Sequence, residues 1–533
     1  MLCSALAFVS RSLQRPKDAL TETQGKEPRS APIFKLNADL LHLIFRMCTD
    51  LDEGAGENAL GGSKEYRAMV TVRHCSQVCR FWRHSILSAP SIWGRILDLQ
   101  QLDQENDLWR EEVIRRTGDA FLHITGIVRG FNHISKQFFY NLIINHWGRV
   151  RVMDVDVYHP HVFKPETWNF LIRPSPFLQS LKLRFHPRTI SPTSILPHGS
   201  IFANDAPSLR QFCVEQLLFD TRISWFSQLR RFGIFPSPRQ PVTVCEIFEM
   251  LAQMPLLESL TIGDVRNDVA SGELNFEHSS IELPSLQEIV FTDVEMKVCT
   301  DILQRISPAP TCALDIFCKQ RMQHGVGSSN NTEDNLGRAI FIRYFKAFFD
   351  NHLISTLTLR QWNGVYTLES DVPKPKFQKA SVLHHRRFRV SIDHHNPSIV
   401  FDIFGACQYR NAKTLKVILD VTKPSPIHAP YMAQFIKSLG HVETVVVNRP
   451  ALRFLQDISK DISVIFPSMR TFDVQRTPLS MLPYVTDFQS DSDGLAVSEA
   501  LPHDYVRLLN DKRSGFVLGV VIFVICSILS YSL

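Results

Sequence analysis

The sequence contains none of the short motifs that mark the common catalytic sites. It has no Gly-x-x-x-x-Gly-Lys-Ser/Thr loop for nucleotide phosphates, no Gly-x-Ser-x-Gly nucleophile elbow and no His-Glu-x-x-His zinc motif. An excess of one charge is also missing, because 58 basic and 53 acidic residues among 533 leave a formal net charge of +5. A charge this weak over this length does not indicate a nucleic-acid partner. We therefore predict that the protein is not an enzyme and binds no nucleic acid.

Regular cysteine spacing is absent as well. An odd count of 11 scattered cysteines argues against a disulfide framework and favours a reducing compartment, either cytoplasmic or nuclear. Cys75 and Cys79 have no second pair at the distance of a zinc site. The densest histidines form two adjacent pairs, and neighbouring residues on a strand face opposite ways; they are His384, His385, His394 and His395. The sequence predicts no metal site and no cofactor.

The two ends of the chain differ in character. Residues 1–32 predict a polar, disordered leader, and residues 486–514 an acidic linker. Residues 515–533 contain no charge, proline or amide, and as a helix they would span about 28 Å, close to the roughly 30 Å hydrocarbon core. We expect a C-terminal transmembrane helix here, with a buried terminal helix as the alternative. Basic residues only on the N-terminal flank favour main domains that face the cytosol.

A short apolar pattern recurs between residues 119 and 475. Each copy has an apolar residue, two variable residues, an apolar residue, one variable residue and a third apolar residue. The copies begin at Val150, Leu178, Leu209, Leu229, Leu257, Leu286, Ile354, Val442 and Met469. Helical spacing between two of the copies is found at Ile247, Leu251 and Met254, and again at Met432, Phe435, Ile436 and Leu439. A strand core that returns every 20 to 30 residues predicts a leucine-rich-repeat-like α/β solenoid over residues 96–485. Irregular repeats or an unrelated α/β domain remain alternatives.

Residues 33–95 predict a small helical module with an inserted loop at 49–65. Leu36, Leu40, Leu43 and Ile44 follow helical spacing. Asn37 can cap this helix, and Asp39 favours its first turn. A second helical segment contains Met69, Val72 and Trp82 on a shared face.

This module resembles the F-box. The matching positions are Leu36, Leu40, Leu41, Ile44, Phe45, Val78, Cys79, Arg80, Trp82, Arg83, Ile92 and Trp93. The sequence departs from the usual pattern at Asn37, where proline is common, and at the 49–65 insertion. An ordinary helical hairpin without a partner is the alternative.

The resemblance implies that the module docks on the Skp-type adaptor of a cullin ubiquitin ligase, while the repeats bind a protein substrate that the sequence does not identify. In this interpretation the exposed halves of four residues insert between adaptor helices; they are Leu40, Ile44, Phe45 and Val78. Trp82 and Trp93 would stiffen the module. A membrane-anchored repeat scaffold that works without ubiquitin is the alternative function.

Overall fold

The computed structural model describes a large part of the chain in two compact units. The described residues are 37–49, 67–104, 107–186, 200–217, 219–236, 242–263, 265, 280–319, 331–362, 364–371, 387–392, 397–420 and 427–474. The boundary between the units lies after Gly126. We call the part before it the N-terminal unit and the part after it the large unit.

Several predicted features lie outside the described residues. They are the leader at 1–32, Leu36, residues 50–65 of the insertion, the linker at 486–514 and the apolar tail at 515–533. Within the described ranges, no helix combines the length and the apolar character that crossing a membrane requires.

The N-terminal unit is mostly helical. Its described helices are α1 (Ala38–Thr49), α2 (Arg67–Val78), α3 (Arg80–Leu87), α4 (Pro90–Trp93) and α5 (Asp107–Thr117). Its strands are β1 (Leu97–Asp98) and β2 (Leu122–Arg129), which pair in parallel, and the unit boundary falls within β2. The first compact unit thus continues past residue 95, because the Trp109 ring of α5 packs edge-on against Trp93 at 6.3 Å.

The large unit alternates strands with helical segments. The helices are α6 (His133–His146), α7 (Val244–Leu251), α8 (Met296–Arg305), α9 (Asn331–Asn351), α10 (Pro397–Phe404), α11 (Ala429–Ser438), α12 (Arg449–Ile458) and α13 (Ile462–Ile465). Short 3₁₀ helices cover Trp147–Arg149, Pro160–Val162, Pro165–Ile172, Ile201–Asn204 and Ser224–Gln228.

The strands of the large unit follow the same alternation along the chain. They are β3 (Val150–Tyr158), β4 (Ser180–His186), β5 (Gln211–Glu215), β6 (Arg231–Phe235), β7 (Ser259–Gly263), β8 (Ile281–Leu283), β9 (Glu288–Glu295), β10 (Ile306–Pro308), β11 (Ala313–Lys319), β12 (Thr356–Trp362), β13 (Val365–Asp371), β14 (Arg387–Ile392), β15 (Thr414–Leu419), β16 (Thr444–Val447) and β17 (Thr471–Val474).

A large, mainly parallel sheet organises this unit. Within the described residues its strand order is β3-β4-β5-β6-β7-β9-β11-β14-β13-β12-β15-β16-β17, and β8 pairs with β10 in a separate ribbon. Every neighbouring pair in the large sheet is parallel except those of β13, which runs antiparallel to both β12 and β14. The predicted α/β class is confirmed at this level.

The recurring apolar pattern marks real strands. All nine copies coincide with a strand, and the second position is buried in all of them except the last, where Phe472 of β17 is partly exposed. Across neighbouring strands these second positions align as a row. That row runs through Met153, Leu181, Phe212, Phe232, Leu260, Ile289 and Leu314. The third positions form a parallel row one pleat further on, from Val155 to Ile316. Because alternate residues of a strand share a face, two aligned rows supply a continuous core.

Four strands of this sheet were not predicted from the apolar pattern. In β11 the first position is Thr311, and in β15 it is Ala412, so neither has the large apolar residue of the other copies. β13 and β14 belong to an antiparallel excursion placed between β11 and β12. The copies that begin at Leu286 and Ile354 are separated by a gap long enough for two repeat units. This gap contains β11 and the long helix α9.

The connections between strands are only partly α-helical. Helices α7 and α11 form in the two segments with helical spacing, but α7 ends at Leu251, before Met254, and α11 ends at Ser438, before Leu439. Between β3 and β6 the connections use 3₁₀ helices instead. Large rings fill the space that these thinner connections leave. Trp168, for example, lies 5.0 Å from the Phe185 ring and 5.3 Å from Phe163.

This packing predicts a large cost for shortening Trp168. Trp168→Ala should lower the free energy of unfolding of the large unit by about 3–5 kcal/mol, since the side chain is buried and its loss leaves a cavity. Urea unfolding followed by far-UV circular dichroism measures the change. Leu353→Ala is the control, because Leu353 is 75% exposed. Equal stability of the two variants would contradict this account of the core.

Candidate functional site

Helix α1 begins where the sequence predicts. The Asn37 side-chain oxygen accepts a hydrogen bond from the Leu40 backbone N–H at 2.8 Å. Asp39 lies in the first turn, where a negative charge is favourable. The cap therefore fixes the start of α1 without the proline that the F-box pattern usually has at this position.

One face of α1 supplies the core of the N-terminal unit. Leu41, Ile44 and Phe45 are buried, and the Phe45 ring meets Trp82 of α3 edge-on at 5.1 Å. The expectation that Ile44 and Phe45 present exposed halves to a partner is wrong, because they are only 7% and 2% exposed. Both residues hold the helices of this unit together.

The turn between α2 and α3 is fixed by local hydrogen bonds. Cys79 caps α3, its sulfur accepting from the Trp82 backbone N–H at 3.4 Å. The Arg83 Nε–H donates to the Ser76 carbonyl of α2 at 3.0 Å. Cys79 is thus a capping residue here, and Cys75 is a buried one.

Both predicted tryptophans are internal. The Trp93 Nε1–H donates to the Ile86 carbonyl at 2.9 Å, and the Arg116 guanidinium lies 4.7 Å from the centre of the Trp93 ring. Trp82 is buried, and within the described part of the chain its Nε1–H has no hydrogen-bond acceptor. Both rings are buried within the unit, and their predicted stiffening effect stays a prediction.

A second apolar face of α1 remains exposed. Its members, with two residues at the junction of α2 and α3, form what we call the apolar surface; their exposed fractions are Leu40 46%, Leu43 51%, Met47 50%, Val78 40% and Phe81 45%. Leu40, Leu43 and Met47 are three and four residues apart, so they lie on one side of the helix. α1 packs against both α2 and α3. Among the residues of this unit that the structure describes, only one of the two apolar faces of α1 is therefore buried.

This apolar surface agrees with part of the predicted site. Leu40 and Val78 were predicted and are exposed, whereas Met47 and Phe81 were missed. Their signal was present, because Met47 follows Leu40 and Leu43 at helical spacing and Phe81 follows Val78 by three residues. The exposed charged side chains on the same three helices are mainly basic, since one acidic residue, Asp39, stands against four arginines; they are Arg46, Arg73, Arg80 and Arg83.

The large unit has a second candidate surface, the polar face of its sheet opposite the buried rows. On strands β3 and β4, Arg184 forms ion pairs with Asp154 at 2.9 Å and with Asp156 at 2.5 Å. The ring of His186 contacts Asp156 at 3.1 Å and stacks on Tyr158 at 4.5 Å. These partly buried charges neutralise one another and form a rigid polar network.

A similar pair lies further along the same face. Arg389 of β14 makes two hydrogen bonds to Asp315 of β11, at 2.6 and 2.8 Å. Between the two charged groups the face includes two glycines, Gly233 and Gly263. At Gly233 a Cβ would lie 2.6 Å from the Cys213 sulfur, and at Gly263 it would lie 2.3 Å from the Phe235 ring. Side chains of neighbouring strands thus cover both glycines.

Ionisation of Asp156 and His186 is linked. Burial would raise the pKa of Asp156, but hydrogen bonds from His186 and Arg184 lower it to about 2. The hydrogen bond to Asp156 raises the pKa of His186 against the opposing effect of burial. Asp156 thus adds stability above its unfolded pKa near 4, and this is lost as pH falls towards 2. His186 adds stability below its unfolded pKa of about 6.5, and this is lost as pH rises through its higher folded pKa.

No cluster of three or more histidine, cysteine or acidic side chains suited to a metal ion is present among the described residues. Comparison with known proteins gives no match, either to a protein-family model or to a curated protein sequence.

The histidine pKa values provide a direct check of the polar network. His186 should titrate above 6.5, whereas burial, assisted by the Arg149 charge, should hold the pKa of His146 below 6.5. In Asp156→Asn the pKa of His186 should fall while that of His146 stays unchanged. Histidine proton NMR across a pH series measures both. An unchanged His186 titration in the variant would contradict the assigned pairing.

Proposed function

We propose that the N-terminal unit is an F-box-like module that docks on a Skp-type adaptor of a cullin ubiquitin ligase. The observation that carries this proposal is the uncovered apolar face of α1. When a helix is apolar on two faces and only one of them is buried, the exposed apolar face is suited to binding a partner. The motif positions Leu41, Phe45, Trp82 and Trp93 form the core beneath this face, which supports an interpretation of the motif as a docking module.

The apolar surface contributes useful but limited binding energy. Complete burial of one large apolar side chain stabilises by about 1.5–3 kcal/mol, and these five residues are already about half buried. Covering the rest contributes roughly 5 kcal/mol, part of which offsets the cost of association. The basic surroundings favour a partner whose apolar groove is bordered by acidic residues, because complementary charge speeds association and selects the partner.

The large unit is the part that holds the target in this proposal. In this proposal its parallel strands are leucine-rich-repeat-like units of an irregular solenoid, interrupted by the antiparallel excursion at β13 and β14. Support comes from a repeated detail: the N–H groups of Arg210 and Gln211 both donate to the carbonyl of Gln179, and the same paired donation returns at the later steps. A protein target on the polar face would be brought close to the ligase, which raises its local concentration without any chemistry by this chain.

The proposed location is the cytosolic side of a membrane, with residues 515–533 as the anchor. Support comes from the uncharged sequence of that segment and from its basic N-terminal flank. If the module does not bind an adaptor, the same anchor favours a repeat scaffold that works without ubiquitin.

Two paired substitutions test the docking proposal. Leu40→Asp with Leu43→Asp should leave the unit folded but weaken binding to a purified Skp-type adaptor by about 100-fold, because two charges would enter an apolar contact. Ile44→Asp with Phe45→Asp should instead unfold the unit, since both residues are buried. Calorimetry reports the affinity and circular dichroism the folding.

Leu108→Asp provides the matched control. Leu108 is exposed on α5 and lies outside the apolar surface, so this variant should bind as the native chain does. Native affinity in the Leu40 and Leu43 variant, or no binding by the native chain, would sink the docking proposal.

The anchor is tested by shortening the chain. The full chain should sediment with membranes and resist extraction by alkaline carbonate, whereas a chain ending at Ser514 should remain in the supernatant. Equal distribution of the two forms would exclude the anchor without affecting the docking proposal.

A further inference from the structure

Two buried thiols face each other inside the large unit. Cys299 lies on helix α8 and Cys318 on strand β11, and their sulfur atoms are 3.3 Å apart. The residues are 0% and 1% exposed. A disulfide requires a sulfur–sulfur distance of about 2.05 Å, so the atoms need to approach by only slightly more than about 1 Å.

A local irregularity of the backbone lies beside this pair. Between β9 and β11 the register shifts at Phe317/Cys318, where Asp293 is the extra residue on β9. Asp293 has a φ of 58°, in the left-handed region that non-glycine residues seldom adopt. Such a bulge bends its strand and changes the direction of the side chains after it. Helix α8 then starts at Met296, directly after β9 ends at Glu295, so its first turns lie close to the end of β11.

We propose that Cys299 and Cys318 form a reversible disulfide, with a low-molecular-weight disulfide such as oxidised glutathione as the oxidant. One thiolate attacks the glutathione disulfide, forming a mixed disulfide and releasing one glutathione. The second cysteine sulfur then displaces the other glutathione. One protein S–S bond forms, one glutathione S–S bond breaks, and the two thiol protons of the protein end on two glutathione molecules.

The environment of the pair determines the rate and the selectivity of this reaction. Burial and the neighbouring Cys318 thiol raise the pKa of Cys299, which keeps the thiolate scarce in the closed structure. Attack therefore proceeds through transient local opening, and the pair is stable to brief oxidation. Once one sulfur carries glutathione, reclosing of the opened segment brings the second cysteine of the same chain back to it, so the intramolecular step is fast compared with attack by a further glutathione.

The cross-link has a structural consequence. It closes the segment between residues 299 and 318 and ties α8 to the sheet. Since a disulfide restricts the unfolded chain, the oxidised protein should melt about 5 °C higher than the reduced one.

Thiol trapping of the full chain tests the proposal. The protein is equilibrated with oxidised or reduced glutathione, quenched in acid, unfolded and alkylated, and the peptides are mapped by mass spectrometry. A linked Cys299–Cys318 peptide pair should dominate in oxidised glutathione and disappear in reduced glutathione. The proposal would be overturned if Cys299 and Cys318 stayed reduced after equilibration with oxidised glutathione, or if they formed mixed disulfides in place of the link. The contact between the two thiols would then be a packing contact only.

Matched variants identify the source of the shift in melting temperature. The upward shift on oxidation should vanish in Cys299→Ser and persist in Cys312→Ser, a buried cysteine on the same stretch of chain. The mapping of the native chain needs no variant, so it decides the matter even where a substitution impairs folding. A shift that persists in Cys299→Ser would contradict the assignment.

Discussion

Alignment of buried side chains across parallel strands is the constraint on which the large unit depends. In-register pairing places Leu181 between Met153 and Phe212, and the same relation continues from strand to strand. Each strand then buries its neighbours' apolar groups and has its own buried by them. A strand at this spacing cannot shift by one residue without turning its whole apolar set to the opposite face. The apolar pattern of the sequence therefore specifies the register.

The same principle of burial explains the N-terminal unit and its proposed role. There the packing of the Phe45 ring against Trp82 buries one face of α1. The opposite face is not buried by an equivalent contact among the described residues. Apolar area left half exposed on a folded unit favours association with a partner. In the large unit the exposed face is polar instead, and its charges are arranged in pairs such as Arg389 with Asp315. The two units thus present surfaces of different chemistry, one apolar with basic surroundings and one polar.

The strands of the large unit could be predicted where the pattern has three large apolar residues. β11 and β15 were missed because Thr311 and Ala412 occupy the position that elsewhere anchors the strand. The antiparallel direction of β13 could not be predicted, since alternation reveals which residues share a face but not which way a strand runs. The bulge at Asp293 could not be predicted either, because the residue with positive φ is not a glycine.

At the candidate site, helical spacing predicted the helix and its cap but not which apolar face points inward. α1 has apolar residues at positions 40, 41, 43, 44, 45 and 47, so two stripes compete for the core. The aromatic contact with Trp82 decides in favour of the Phe45 side. Leu40 and Val78 were therefore placed correctly as exposed, and Ile44 and Phe45 were not. Only the packing of three helices against one another could resolve this choice.

The central claim is that the uncovered face of α1 binds a Skp-type adaptor. Hydrogen–deuterium exchange of the full chain, with and without the purified adaptor, tests it most directly. Exchange should slow in residues 38–49 and around the junction of α2 and α3, with no change in the strands of the large unit. Unchanged exchange in α1 at saturating adaptor, or protection confined to the large unit, would contradict it.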